Sequence, residues 1–414
     1  MAAVLCEDGS ISRRSDLTPQ QLLTKYGTGV YTTALVTPDG CIVDWELHQQ
    51  RLLRGIEIVN KRPSKPFDGL ISALNSESSS LAAFSKRRIV PAIKAALTAY
   101  YEDRDAAHPQ AQPEALPHAF LVVSVAPRSG APGSSSPPPA EGGNPSPDPG
   151  APCASPSSTN SALVAVYVKD VRPPPYGPEH AVQAAVLGRP RSLAGAKASS
   201  WVEERRAYEQ AKPPAAAEVL LADAQGRLLE GLTTNFFALC PPDPATGRPA
   251  TVHTYRRLPR PRSPRPVVPA APGPTAASPP ALVGAVQAAG EAAEAAEEAG
   301  GLEMEEEEGG EEGGKEEEAL PGVVQARVLE AAAALGMAVV AEAPRAGERE
   351  GWSEAFITNC IKRIQPLSRV FCPRGNAWGV EPWDRPLPHP AGALTTALRE
   401  RLGALEVRTH WSEL

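Results

Sequence analysis

The chain has 414 residues, of which 46 are proline and 34 glycine but only 5% aromatic. Its net charge of −7 argues against a surface that binds nucleic acid generally. No apolar run approaches the roughly 18 residues that a membrane span requires, and the six cysteines form neither a CxxC pair nor a histidine-linked metal spacing.

Those averages mix two materials, ordinary globular sequence and low-complexity segments that bury too little surface to fold. The N-terminus has no apolar leader segment and Met1 to Arg14 leaves little room for a transit peptide, so the expected location is the cytoplasm, with reduced cysteines. Tyr26 to Val36 (YGTGVYTTALV) alternates glycine, aromatic and β-branched residues as a strand does. Pro38, Asp39 and Gly40 turn it into a second strand, Cys41 to Trp45, and Leu47, His48, Arg51 and Leu52 begin a helix. Ser85 to Tyr101 predicts another helix, with Ile89, Ile93, Leu97 and Tyr100 on one face and Pro91 near its start. Phe120 to Val125 and Leu163 to Val168 predict neighbouring strands, separated by a Pro-, Ser- and Gly-rich insertion over 126–160. Val171 to Pro178 reads as a connector, and Ala181 to Leu187 as the first strand of a second domain.

The stretch from Leu193 to Phe237 organises the rest. Lys197 sits in a small-residue turn ahead of an amphipathic run bearing Trp201, Val202, Arg205, Tyr208 and Glu209, which stops at Pro213 and Pro214. A strand over Glu218 to Ala222, a turn at Asp223 to Gly226, then Glu230, Gly231 and Asn235 follow, so that one lysine and one glutamate can face one pocket. Pro241 to Ala319 predicts a second insertion, with a basic arm (Arg256, Arg257, Arg260, Arg262 and Arg265) ahead of an acidic run at Glu305 to Glu308; both read as solvated low-complexity sequence. Leu320, Pro321 and Gly322 then lead a helix to Gly336, Met337 to Glu342 a strand, and Leu394 to Leu402 a terminal helix.

Ala196, Lys197, Glu218, Gly226, Glu230, Gly231, Asn235 and Phe237 together resemble the core signature of class IV pyridoxal-phosphate enzymes. That family includes the branched-chain and D-amino-acid aminotransferases and aminodeoxychorismate lyase. The YGTGVYTTALV and HQQRL order is similar to the family's small N-terminal domain, and SEAFITNC to a segment closing its phosphate cup. The resemblance implies a two-domain α/β fold of type IV with two insertions: a small domain over 1–168, a linker over 169–180 and a large domain over 181–414. It implies pyridoxal 5′-phosphate held by Lys197 as a Schiff base, with Glu230 against the pyridine nitrogen. Arg51 and the amides of Val323, Val324, Asn359 and Cys360 would hold the phosphate. Tyr26, Tyr31 and Thr33 would look into the substrate side. The family's threonine and arginine after the glycine are here Val324 and Gln325, Cys360 stands where a hydroxyl residue is common, and Leu35 where an arginine often grips a substrate carboxylate.

These features leave three readings. An aminotransferase between amino acid and 2-oxo acid is favoured; a lyase releasing 4-aminobenzoate and pyruvate is the second. The third is a non-catalytic scaffold working through its charged insertion, against which the joint retention of Lys197, Glu230 and Arg51 counts. The resemblance also implies a homodimer, with no membrane or nucleic-acid partner.

Overall fold

The computed structural model describes all residues except 27, 62–66, 68–69, 72–73, 75–79, 113–114, 129–161, 257–318 and 375–380. Period-two alternation builds its first sheet. The strands are β1 (Ala3–Glu7), β2 (Ser10–Arg14), β3 (Val30–Val36), β4 (Cys41–Val43), β5 (His118–Pro127), β6 (Ala162–Val171) and β16 (Arg408–His410), in the order β16-β4-β3-β5-β6-β1-β2 with every neighbour antiparallel. Val30, Ala34 and Val36 pack with Leu121, Val123 and Val125 against the helical face, where Leu52, Ile56, Ile93 and Leu97 meet them. Tyr31 and Val122 take the opposite face, beside Leu22 and Leu23.

Two sequence expectations shift here. The strand expected from Tyr26 starts only at Val30, because Tyr26 ends the short helix α1 (Pro19–Lys25). Thr18 caps that helix: its hydroxyl accepts from the Gln21 N–H at 3.2 Å while the Gln21 side chain accepts from the Thr18 N–H at 2.8 Å. Trp45, expected in a strand, begins helix α2 (Trp45–Lys61). The helix expected from Ser85 is longer, running as α3 (Leu81–Phe84), a π turn (Ser85–Ile89) and α4 (Val90–Ala107). Pro91 has no N–H to give to the preceding turn, and the wide turn, closed by the Val90 N–H on the Ser85 carbonyl, lets the helix pass it.

After the Pro173–Pro175 connector the second sheet forms from β7 (Val182–Gly188), β8 (Glu218–Ala222), β9 (Leu228–Gly231), β10 (Asn235–Cys240), β11 (Thr251–His253), β12 (Ala338–Val340), β13 (Glu354–Asn359), β14 (Arg363–Cys372) and β15 (Trp383–Pro386). Its order is β12-β11-β10-β13-β14-β7-β8-β9, and β9 returns to pair β10 at Glu230 and Asn235, closing six strands on themselves. Phe236 fills the inside with Leu220, Ile357 and Trp352. Phe237 points the other way and stacks on Phe356, centroids 4.7 Å apart, under helices α7 (Val323–Ala334) and α8 (Ala393–Leu405). Each such ring contributes about 1.5–3 kcal/mol by burial.

Ala126 and Pro127 still belong to β5, and 129–161 lies outside the described residues. The second insertion also begins later than Pro241, since β11 pairs β10 and the Arg256 N–H bonds to Ala341. The rest of the basic arm and the acidic run lie outside the described residues.

Candidate active site

Small residues let the Lys197 loop lie flat against β3. Ala194, Ala196 and Ala198 are buried in it, and three bonds of 2.9 Å fasten it to the first sheet: Tyr31 N–H to the Lys197 carbonyl, Ser199 N–H to the Gly29 carbonyl, and Gly29 N–H to the Ser199 hydroxyl. The Lys197 ammonium nitrogen stands 4.9 Å from the centre of the Tyr31 ring. Burial, and then the charge of Arg51, press its pKa down to about 7. Beyond the loop the amphipathic run divides into α5 (Trp201–Glu204) and α6 (Arg206–Ala211), and the Trp201 indole donates to the Leu232 carbonyl at 2.8 Å.

Glu230 approaches from the end of β9. Its Oε2 accepts from the Leu320 N–H at 3.0 Å and from Arg191 Nη2 at 3.3 Å. Arg191 Nε lies 2.9 Å from Oε1, yet its N–H is not aligned with it, and both atoms are buried without a hydrogen-bond partner. Burial pushes the Glu230 carboxyl upward, opposed by the charge of Arg191 and the Leu320 N–H. The other signature residues build this corner. Glu218 accepts from the Thr234 hydroxyl at 3.0 Å and from the Val219 N–H at 3.0 Å, holding the turn after Gly231. Asn235 Nδ2 donates to the Leu320 carbonyl at 2.9 Å, and a Cβ on Gly322 would fall 1.9 Å from Asn235 Oδ1, so only glycine lets the loop dock.

Arg51 enters from α2. Its Nη2 donates to the Thr32 hydroxyl at 2.8 Å and lies 3.2 Å from His48 Nδ1, while its Nε is buried without a partner. Burial and the adjacent guanidinium hold His48 well below the usual imidazole range, so the ring is neutral and Nδ1 is free to accept.

Two backbone elements complete the cavity. The first-turn N–H groups of α7, Val323 and Val324 among them, have no acceptor within the helix. Gln325, which replaces the resemblance's arginine, bonds instead to Thr254 at 3.0 Å and to the Tyr255 carbonyl at 2.8 Å. In the β13–β14 turn, Asn359 Oδ1 accepts from the N–H groups of Ile361 at 3.0 Å and Lys362 at 2.7 Å. The Cys360 thiol lies 3.3 Å from the Thr33 hydroxyl, and the Thr358 hydroxyl is buried without a partner.

Tyr31, Thr33, Arg51, Lys197, Glu230, Val323, Val324, Asn359 and Cys360 all line one cavity of about 250 Å³. That is roughly twenty times the ~12 Å³ one water needs by the same kind of measure, so the space suits an organic ligand. Tyr26 is the exception among the expected residues. It is not among the lining residues; its hydroxyl donates to the Glu7 carboxylate and its ring packs with Leu22 and Leu23. Among the lining residues that had no site role in the sequence reading, three carry ionisable side chains: His48, Arg191 and Arg205. His48 is one helical turn before Arg51, a spacing that flags it; Arg191 lies in a loop with no local pattern.

No family model and no curated protein matches the sequence. Solved structures do resemble the fold. A fold IV-transaminase, CpuTA1, from Curtobacterium pusillum aligns with a TM-score of 0.53 at 15% identity, over 97% of this chain and 98% of that one. A branched-chain aminotransferase from Thermoproteus uzoniensis with norvaline gives 0.53 at 14% identity over 99% of both chains. The fold is that of the fold-type IV transaminases. The PLP-bound form of a hypothetical aminotransferase from Mycobacterium tuberculosis aligns with a TM-score of 0.52 at 14% identity, over 97% of this chain and 98% of that one. At such identities the likeness carries the fold, and the chemistry must be argued from the residues.

Proposed function

We propose that the protein is a pyridoxal-phosphate-dependent aminotransferase that moves an amino group between an amino acid and a 2-oxo acid. One observation carries the reading. A single cavity gathers a lysine poised near neutrality, a buried carboxylate with one unpartnered oxygen, and an arginine with an unpartnered Nε beside helix-terminal amides. That donor set fits the cofactor: Lys197 would hold it covalently, Glu230 Oε1 would accept from its ring N–H, and Arg51 with the Val323, Val324, Asn359 and Cys360 backbone would hold its phosphate. When bound, the cofactor supplies the electron sink that makes the substrate's α-hydrogen acidic.

The chain's own residues do the rest. Lys197 Nζ, a substantial fraction of it unprotonated at neutral pH, takes the proton from the substrate's α-carbon and is placed to return it. Glu230, kept in place by Arg191 and Leu320, holds a proton on the ring nitrogen. His48 and Thr32 aim Arg51. Tyr31, Thr33 and Phe120 border the side left for substrate. We further read the two sheets as a small and a large domain with the site in the cleft, and the enzyme as a homodimer; light scattering that finds only a monomer capable of turnover would refute the dimer.

The test is to add pyridoxal phosphate to the purified protein, reduce with borohydride and locate the added mass. Attachment at Lys197, and release of 2-oxo acid from a panel of L- and D-amino acids, is the expected result. No attachment would end the reading. Attachment with turnover only of aminodeoxychorismate to 4-aminobenzoate and pyruvate would replace the transferase by the lyase.

A further inference from the structure

Among the described residues lining the cavity, Glu230 is the only carboxylate, against Lys197, Arg51, Arg191 and Arg205. Three of these cations are accounted for: Arg191 by Glu230, and Lys197 and Arg51 by the proposed cofactor. Arg205 is not. It sits at the joint between α5 and α6, only 7% exposed. Its Nε is committed to Glu209 at 2.9 Å, a residue 37% exposed, while among the described residues none bonds to Nη1 or Nη2. The charge reaches the reaction centre, since Arg205 is among the groups that depress Lys197. Around it the walls are apolar: Val202, one helical turn before, packs with Leu23 and Val122, and Phe120 rests on the same cluster. Neither terminal nitrogen is shut away, and the side chain lines the cavity, so a guanidinium with two open donor nitrogens beside an apolar wall suits an anionic ligand with an apolar body.

We propose that Arg205 binds a carboxylate of the amino-acid substrate, with the substrate's carbon chain lying on Leu23, Phe120 and Val122. This rests on the aminotransferase reading. The carboxylate is either the one on the α-carbon or a second one on the side chain, and both use the same paired N–H contacts.

Calorimetric titration of the pyridoxal-phosphate-loaded protein with 4-methylpentanoate, glutarate and isopentylamine tests it. Arg205→Gln, compared in its pyridoxal-phosphate-loaded form, is expected to weaken carboxylate binding about tenfold or more while isopentylamine binding stays close to that of the wild type. Loss for both carboxylates assigns the α-carboxylate; loss for glutarate alone assigns the side-chain one. Glu209→Gln keeps the guanidinium and frees Nε, so binding should hold or tighten; an equal loss there would put the effect on the helix joint and overturn the proposal. So would a wild type that binds neither carboxylate, or an Arg205→Gln protein that binds both normally. If the wild type takes up no cofactor, the proposed function fails separately, and the same comparison on the protein as isolated decides the role of Arg205.

Discussion

Two buried glutamates flank the same hairpin and do opposite things. Glu218, at the start of β8, is 5% exposed and accepts from Thr234 and Val219. Glu230, at the end of β9, is 3% exposed and has one oxygen without a donor. By residue type and burial they are alike; they differ in satisfaction. A buried carboxylate with its bonds made holds structure, whereas one with an acceptor left open toward a cavity is prepared for a ligand.

The largest effect that bears on this contrast comes from the group opposite Glu230. Lys197→Ala should lower turnover by at least about 10³-fold, measured as 2-oxo acid released; residual turnover near wild type would remove the lysine from the chemistry. Glu230→Gln should follow at about 10²-fold, the scale of one misplaced charge in an enclosed site, with cofactor still bound. Glu218→Gln should do the reverse, costing about 1–3 kcal/mol in denaturant unfolding while the rate per folded molecule stays close to wild type. If Glu218→Gln lost rate and kept stability, the contrast would collapse.

Two pH measurements sharpen it further. Arg191 opposes the upward shift of Glu230, so Arg191→Gln should raise that carboxyl again, and the acid-side loss of rate should set in at higher pH than in the wild type. For Lys197 the sign follows from a lowered folded pKa. Between about 7 and its ordinary value the unfolded chain holds a proton that the folded chain does not, so this group's contribution to stability rises with pH across that window. Cofactor capture, which needs the neutral amine, should likewise climb through about pH 7. The smallest change is expected at Cys360: the role proposed for it is through the backbone, so Cys360→Ser should alter cofactor affinity only slightly.

Much of the second sheet was legible because its residues are punctuated locally: prolines after the Lys197 run, the Asp223–Gly226 turn, Gly322 before α7. The open and satisfied glutamates were not told apart, since that depends on Thr234 and Leu320 arriving from elsewhere. The first sheet was read only in part. β1, β2 and β16 are short pieces from the two ends of the chain, and pairing across such separations leaves no mark in a local window. Tyr26 was misplaced for a local reason: its aromatic alternation suits a strand, but the Thr18–Gln21 cap starts a helix that ends on it. Arg205 was visible as part of the amphipathic run, yet its unpaired donors become apparent only once the apolar walls surround it.

The lysine loop follows β7, a strand of the second sheet, but is stitched to the start of β3 through Tyr31, Gly29 and Ser199. Glu230, in contrast, is anchored by β10 and the Leu320 loop. If the two sheets moved apart, a cofactor held as proposed by Lys197 at one end and Glu230 at the other would be pulled in two directions unless those stitches parted. The exchange rate of the Tyr31 and Ser199 amides becomes a clock for how often the site comes undone.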